Sequence, residues 1–222
     1  MGKNRLYDED VLVIGLGRFG AAAALELHRL GHTVVAVEKD SSLAEAYSRK
    51  LSRVIQADAA APGTADLARM RSFRLAVVGI GSSVEASILT AGNLIDAGVP
   101  SIWAKAVSPE HARILERIGV EHVISPEADS GQRVAHLVNG KMLDYIEFDD
   151  GYAIVKMAPP RECVGFTLGQ SQIRSKYGVT VVGVKAPGED FSHAVPETRV
   201  TAAHTLIVSG PTELIERLAS RP

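Results

Sequence analysis

The residues best suited by type and spacing to chemistry begin at Gly15-Leu16-Gly17-Arg18-Phe19-Gly20, a GxGxxG between an apolar β-branched run and a helical stretch. In that setting Gly15 permits a tight turn, Gly17 lets main chain approach a phosphate, and Gly20 lets helix and strand pack closely. N–H groups at the start of such a helix, together with its dipole, make an anion site. An acid follows at the right place. Glu38 closes the next apolar run 23 positions after Gly15, where a carboxylate accepts from both ribose hydroxyls and repels a 2′-phosphate. Alone, the glycine motif is weak; joined to Glu38, it predicts an adenine nucleotide site, with Phe19 and Lys39 beside it.

Other residues gather around this pair. Arg18, in the first helical turn, either reaches terminal phosphates bidentately or pairs with a carboxylate or a neighbouring subunit. Ile80 and Gly81 end the fourth apolar run, where the order of a doubly wound sheet reverses, and so should face the ligand across from Gly15. Asp58, followed by Ala59 just past the third run, meets the adenine or caps a turn.

Groups for catalysis are sparse. The histidines at 28, 32, 111, 122, 136, 193 and 204 show no metal-ligand spacing. Ser171 lacks the flanking glycines of a nucleophile elbow. Tyr152-Ala153-Ile154-Val155-Lys156 matches a Tyr-x-x-x-Lys dehydrogenase pair in letters only, because its intervening residues are apolar and β-branched and predict a strand. Cys163, the single cysteine, excludes an intrachain disulfide framework and a multi-cysteine metal site, and fits a reducing cytoplasm.

The positioning elements are legible as alternation. Strands are predicted at Val11–Gly15, Thr33–Glu38, Arg53–Ala57, Leu75–Ile80, Ser101–Lys105 and His122–Ser125. Helices are predicted between them at Phe19–Leu30, Leu43–Lys50, Thr64–Met70, Val84–Asp96 and Pro109–Arg117. Near-continuous apolar strands joined by helices predict an α/β fold with a doubly wound parallel Rossmann sheet. Glu127–Asn139 reads as a crossover helix with Val134, Leu137 and Val138 as its apolar stripe. A strand-rich region follows: YIEF, YAIVKM, a helix at Leu168–Tyr177, VTVVGVK and TLIVSG. The expected division is therefore 8–140 for the nucleotide-binding lobe with its connector helix and 141–222 for a small α+β lobe.

Bulk properties narrow the function classes. The 222 residues are 46% hydrophobic and 23% charged, as in ordinary globular chains, and a net charge of −2 gives no basic field for nucleic acid. The polar start MGKNRLYDED is no signal peptide, and apolar stretches such as Leu75–Ile80 are too short to cross a bilayer. Any action at a membrane is expected to run through a partner.

The glycine loop, Glu38-Lys39-Asp40, Ala57-Asp58-Ala59, Ile102-Trp103-Ala104-Lys105 and Ser125-Pro126-Glu127 together resemble the RCK family, the regulators of potassium conductance that include the cytosolic subunits of Trk and Ktr systems. The likeness extends through Ile173-Arg174-Ser175-Lys176-Tyr177-Gly178. It implies a regulatory, non-enzymatic subunit that pairs with itself and builds a ring, commonly octameric, beneath a separate integral membrane potassium channel or transporter. It would be cytoplasmic, reaching the cell membrane only through that partner. The resemblance further implies ATP, ADP or NAD(H) as ligand. Arg18 and Lys105 would lie at the phosphates, and Glu127 would help hold a divalent cation there or simply complement a helix dipole. In Ktr-like members the second lobe holds cyclic di-AMP, and Ile173, Arg174 and Pro196 occupy the matching region. Glu38 replaces the aspartate common in the family, and Ala60 stands where Thr or Ser is frequent. An NAD-dependent oxidoreductase and an NADH-reading repressor are the competing readings. The first is short of catalytic groups, and the second lacks a helix-turn-helix segment.

Overall fold

The computed structural model describes residues 10–61, 63, 70–138, 140–148 and 150–220. Contacts divide the chain into two units, Met1–Glu127 and Ala128–Pro222.

In the first unit, six parallel strands form one sheet: β1 (Val11–Ile14), β2 (Val34–Glu38), β3 (Arg53–Gln56), β4 (Leu75–Val78), β5 (Ser101–Lys105) and β6 (His122–Ile124). Their spatial order is β3-β2-β1-β4-β5-β6, so the order reverses between β1 and β4, as expected. β1 and β2 are buried along their whole length because helices cover both faces. Two apolar clusters result. One holds Leu12, Ile14, Val35, Val37, Ala76 and Val78; the other, on the opposite sheet face, holds Val11, Val13, Val34 and Ala36. That split follows directly from the period-two alternation of strand side chains.

The helices are α1 (Arg18–Arg29), α2 (Ser41–Ser48), α3 (Val84–Asp96) and α4 (Pro109–Ile118). Three begin on side-chain caps. Asp40 accepts from the Ser42 and Leu43 N–H groups, Ser83 from Ala86, and Ser108 from His111, with Pro109 in the first helical turn of α4. α1 instead starts at Gly17 with no side-chain cap, so its first N–H groups receive no side-chain acceptor from that position. The helix predicted at Thr64–Met70 lies outside the described residues apart from Met70, which opens a short 3-10 turn, Met70–Ser72.

α5 (Pro126–Leu137) spans the division between the units. The sequence placed the boundary near Gly140, but contacts assign Ala128 onward to the second unit. Side chains explain this. Arg133 pairs with Asp144 at 2.5 Å, His136 stacks on Tyr145 at 3.9 Å between ring centroids, and Leu137 packs on the second core. The predicted three-residue stripe is only partly buried: Leu137 packs inward, while Val134 is 60% and Val138 75% exposed.

The second unit is a five-stranded sheet in the order β10-β9-β11-β8-β7, every pair antiparallel. Its strands are β7 (Met142–Phe148), β8 (Tyr152–Met157), β9 (Thr180–Lys185), β10 (Ser192–His193) and β11 (Thr205–Pro211). The helix expected over Leu168–Tyr177 is two short ones, α6 (Leu168–Ser171) and α7 (Ile173–Tyr177). The chain breaks at Gln172, whose φ of 51° is left-handed and outside any helix. α8 (Thr212–Ala219) closes the unit and buries Ile215, Leu218 and Ala219.

Candidate nucleotide-binding site

Glycine geometry builds the site. Gly15 leaves β1 at φ 87°, and its N–H donates to Val37 O at 2.8 Å, fixing the turn against β2. A Cβ on Gly20 would sit 1.9 Å from the Gly15 carbonyl oxygen, so only glycine lets α1 lie this close to the loop. Gly79 is crowded to a lesser degree, since its Cβ would lie 3.0 Å from both Gly15 O and Gly20 Cα. Gly17 differs, for nothing lies within 4 Å of its would-be Cβ. Its missing side chain leaves open space at the helix start, the geometry of an anion site.

Glu38 is buried at the end of β2, and one carboxylate oxygen accepts the Leu16 N–H at 2.5 Å while the other accepts the Asp40 N–H at 2.8 Å. The acid thus holds the glycine loop and the start of α2 together. Lys39 is exposed beside it. Asp58 accepts the Ala60 N–H at 3.0 Å, the turn-capping alternative, while Ala59 is buried and its carbonyl accepts from the Asn93 side chain at 3.0 Å.

A second group assembles on the other side of the switch point. Lys105, ending β5, donates from Nζ to Glu127 Oε1 at 2.5 Å. The lysine side chain is only 11% exposed, whereas that of Glu127 is 62% exposed. A Cβ on Gly81 would lie 3.2 Å from Lys105 Nζ and 3.5 Å from a methyl of Val107, so β4's end and β5's end approach closely here. The hydrogen bond from Lys105 holds the Glu127 carboxyl below the usual carboxylate range, with the charge of Arg18 contributing less. Arg18, Lys105 and Glu127 therefore share one electrostatic neighbourhood. Ile80 is half-buried, its side chain 3.2 Å from the Gly15 Cβ position. Phe19 is half-buried and packs on the core between α1 and the sheet, so its role is to seat the helix.

Among the described residues no group of three or more His, Cys, Asp or Glu side chains is arranged to hold a metal ion. Glu127 offers one carboxylate, already engaged by a lysine, so a cation there needs phosphate oxygens as its remaining ligands. Tyr152 and Lys156 lie on strand β8, roughly 13 Å apart along an extended chain, not one turn apart on a helix. Burial pushes the Cys163 thiol up to about 11, which leaves it an inert core residue. In the second unit, Ile173 is 3% exposed within the core, while Arg174 and Pro196 are exposed.

Residues 11–126, which hold every element of this cradle up to the start of α5, match the family model described as the TrkA-N domain. The chain belongs to the TrkA-N family. It is 33% identical over 214 residues to the Ktr system potassium uptake protein A of Bacillus subtilis, covering 96% of each chain. The protein of the same name from Vibrio alginolyticus is 32% identical over 205 residues, 92% of this chain and 93% of the other. Among solved structures, the GsuK RCK domain aligns with a TM-score of 0.67 at 18% identity. That alignment covers 96% of this chain but 48% of the other, so this TrkA-N protein spans about half its length. The GsuK channel bound to NAD aligns with a TM-score of 0.56 at 22% identity, covering 96% and 39%. These structures show the fold: an RCK-type arrangement, as the sequence motifs imply.

Proposed function

We propose that this TrkA-N protein is a cytosolic, nucleotide-binding regulatory subunit of a potassium channel or transporter. The observation that carries the reading is the ligand-ready start of α1: uncapped N–H groups, open space at Gly17, and Glu38 behind the loop. The end-to-end likeness to Ktr potassium uptake proteins supplies the system in which such a site works. No helix among the described residues is long and apolar enough to cross a membrane.

The ligand is ATP, ADP or NAD(H), with its phosphates over Gly17 near Lys105, the terminal phosphate of ATP toward Arg18, and its ribose on Glu38. A divalent cation, where one binds, takes Glu127 and phosphate oxygens together. NADP(H) meets the Glu38 carboxylate with its extra phosphate. Calorimetry with NAD and NADP tests this: NAD should bind at least about tenfold tighter, the effect of roughly 1.4 kcal/mol. Equal affinities would remove Glu38 from the ribose role.

The chain works as an assembly, a dimer that builds a ring, commonly of eight. Val134 on α5, Val138 just past its end and Ile114 on α4, 42% exposed, present apolar surface suited to such contacts. Light scattering at micromolar concentration should give a dimer or larger, and a monomer would contradict the ring. A seam between two second units would bring Arg174 and Pro196 of each copy to a second ligand such as cyclic di-AMP.

A further inference from the structure

We infer that His111 is a positioning residue for the nucleotide site, holding the segment that carries Lys105 through its ring nitrogen Nδ1. The inference rests on the nucleotide reading of the cradle and adds a residue to it.

His111 lies in the first turn of α4 and is 1% exposed. Its Nδ1 accepts the backbone N–H of Val107 at 3.3 Å. Val107 follows Lys105 by two residues, and these two side chains are the ones that close over Gly81. The segment between them is tied at the middle too, because Ala106 N–H donates to Ile124 O at 2.8 Å. Beyond Ala106 the chain leaves the sheet, and the ring nitrogen is the acceptor that receives the next N–H. The direction of the Lys105 side chain toward Glu127 depends on this short run being fixed.

The chemistry of the ring favours that role. A nitrogen that accepts a hydrogen bond carries no proton, so the proton of the neutral ring sits on Nε2. Nε2 is buried without a hydrogen-bond partner among the described residues. A buried donor left unbonded is destabilising, and an apolar side chain of similar size would avoid it. Desolvation lowers the pKa of His111 with no charged neighbour contributing, which keeps the ring neutral and Nδ1 available as an acceptor. The residue therefore costs the fold stability at Nε2 and serves the loop at Nδ1. Ser108 already caps α4 through the His111 N–H, so the helix does not need the imidazole.

The test uses the full chain with ADP as the probe in calorimetry and thermal unfolding without ligand. His111→Leu removes the acceptor while filling the space. It should shift the melting temperature little, because the acceptor lost to the Val107 N–H offsets the unbonded Nε2 donor removed. It should weaken ADP binding about tenfold, the scale of one lost positioning hydrogen bond. His111→Asn places an oxygen near the position of Nδ1 and should restore binding, whereas His111→Gln sets its acceptor further out and should not. The Asn and Gln pair keeps the test decisive if the leucine variant fails to fold. Wild-type affinity in His111→Leu, or equal losses in the Asn and Gln variants, would overturn the inference. A wild-type chain that binds neither ADP nor NAD would instead bring down the nucleotide reading, and this proposal with it.

Discussion

Gly17→Val should abolish nucleotide binding and leave the fold standing. The position has φ −62° and ψ −178°, an extended conformation open to any residue, and nothing lies within 4 Å of its Cβ site. The new side chain therefore meets no protein atom and occupies the space through which a phosphate reaches the first N–H groups of α1. Losing two charge-assisted hydrogen bonds of about 1.5–3 kcal/mol each weakens binding by at least roughly a hundredfold. Unfolding should shift only by the cost of a poorer helix N-cap, about 1 kcal/mol or less. Gly20→Ala is the contrasting variant. Its Cβ would lie 1.9 Å from the Gly15 carbonyl oxygen, so the loop or α1 must move. That overlap should lower stability by about 3 kcal/mol and remove binding as well. Calorimetry with ADP and thermal unfolding on the two variants separate the roles. If Gly17→Val binds ADP as wild type, the phosphate does not lie over this residue.

The contrast between these two glycines marks how far sequence reasoning reaches. The strand–loop–helix placement of the motif was legible because parallel strands covered on both faces read as unbroken apolar runs. The reversal of strand order between β1 and β4 followed from the same pattern. The motif already separates Gly20, for packing, from Gly17, for close approach of a phosphate. What the letters could not give is the scale, a 1.9 Å overlap at Gly20 against open space to 4 Å at Gly17. Lys105 and Glu127 stand 22 residues apart, and no spacing rule joins them; family likeness named both, and the ion pair became visible only in three dimensions. His111 went unmarked because a histidine in a polar first helical turn reads as surface until its burial is seen. In the second unit, the break at Gln172 was hidden because a non-glycine left-handed residue carries no sequence signal. α8 did carry one. Ile215, Leu218 and Ala219 fall at helical spacing just after Pro211, and that period could have been found.

The other large effect concerns how a nucleotide changes anything. A ligand shifts a protein between two shapes only if it binds one of them more tightly. ATP and ADP share the adenine, the ribose and the first two phosphates, so on the proposed reading Glu38 and Gly17 would meet both ligands alike. The terminal phosphate is the part that differs. Arg18 is exposed at the first position of α1, and its charge is felt at Glu127, which also holds the ammonium of Lys105. An added phosphate in this neighbourhood attracts both cations and repels the carboxylate, so it competes directly for the Lys105–Glu127 pair. A bidentate guanidinium contact to that phosphate is worth about 1.5–3 kcal/mol, or roughly ten- to a hundredfold in preference for ATP. Arg18→Ala should therefore bind ADP nearly as wild type and lose most of its discrimination in favour of ATP. Potassium flux through the reconstituted complex should then respond similarly to the two nucleotides. Arg18→Lys keeps the charge but not the planar fork, and should recover only part of the difference. Full ATP-over-ADP discrimination in the alanine variant would place the switch elsewhere, with the Lys105–Glu127 pair as the next element to alter.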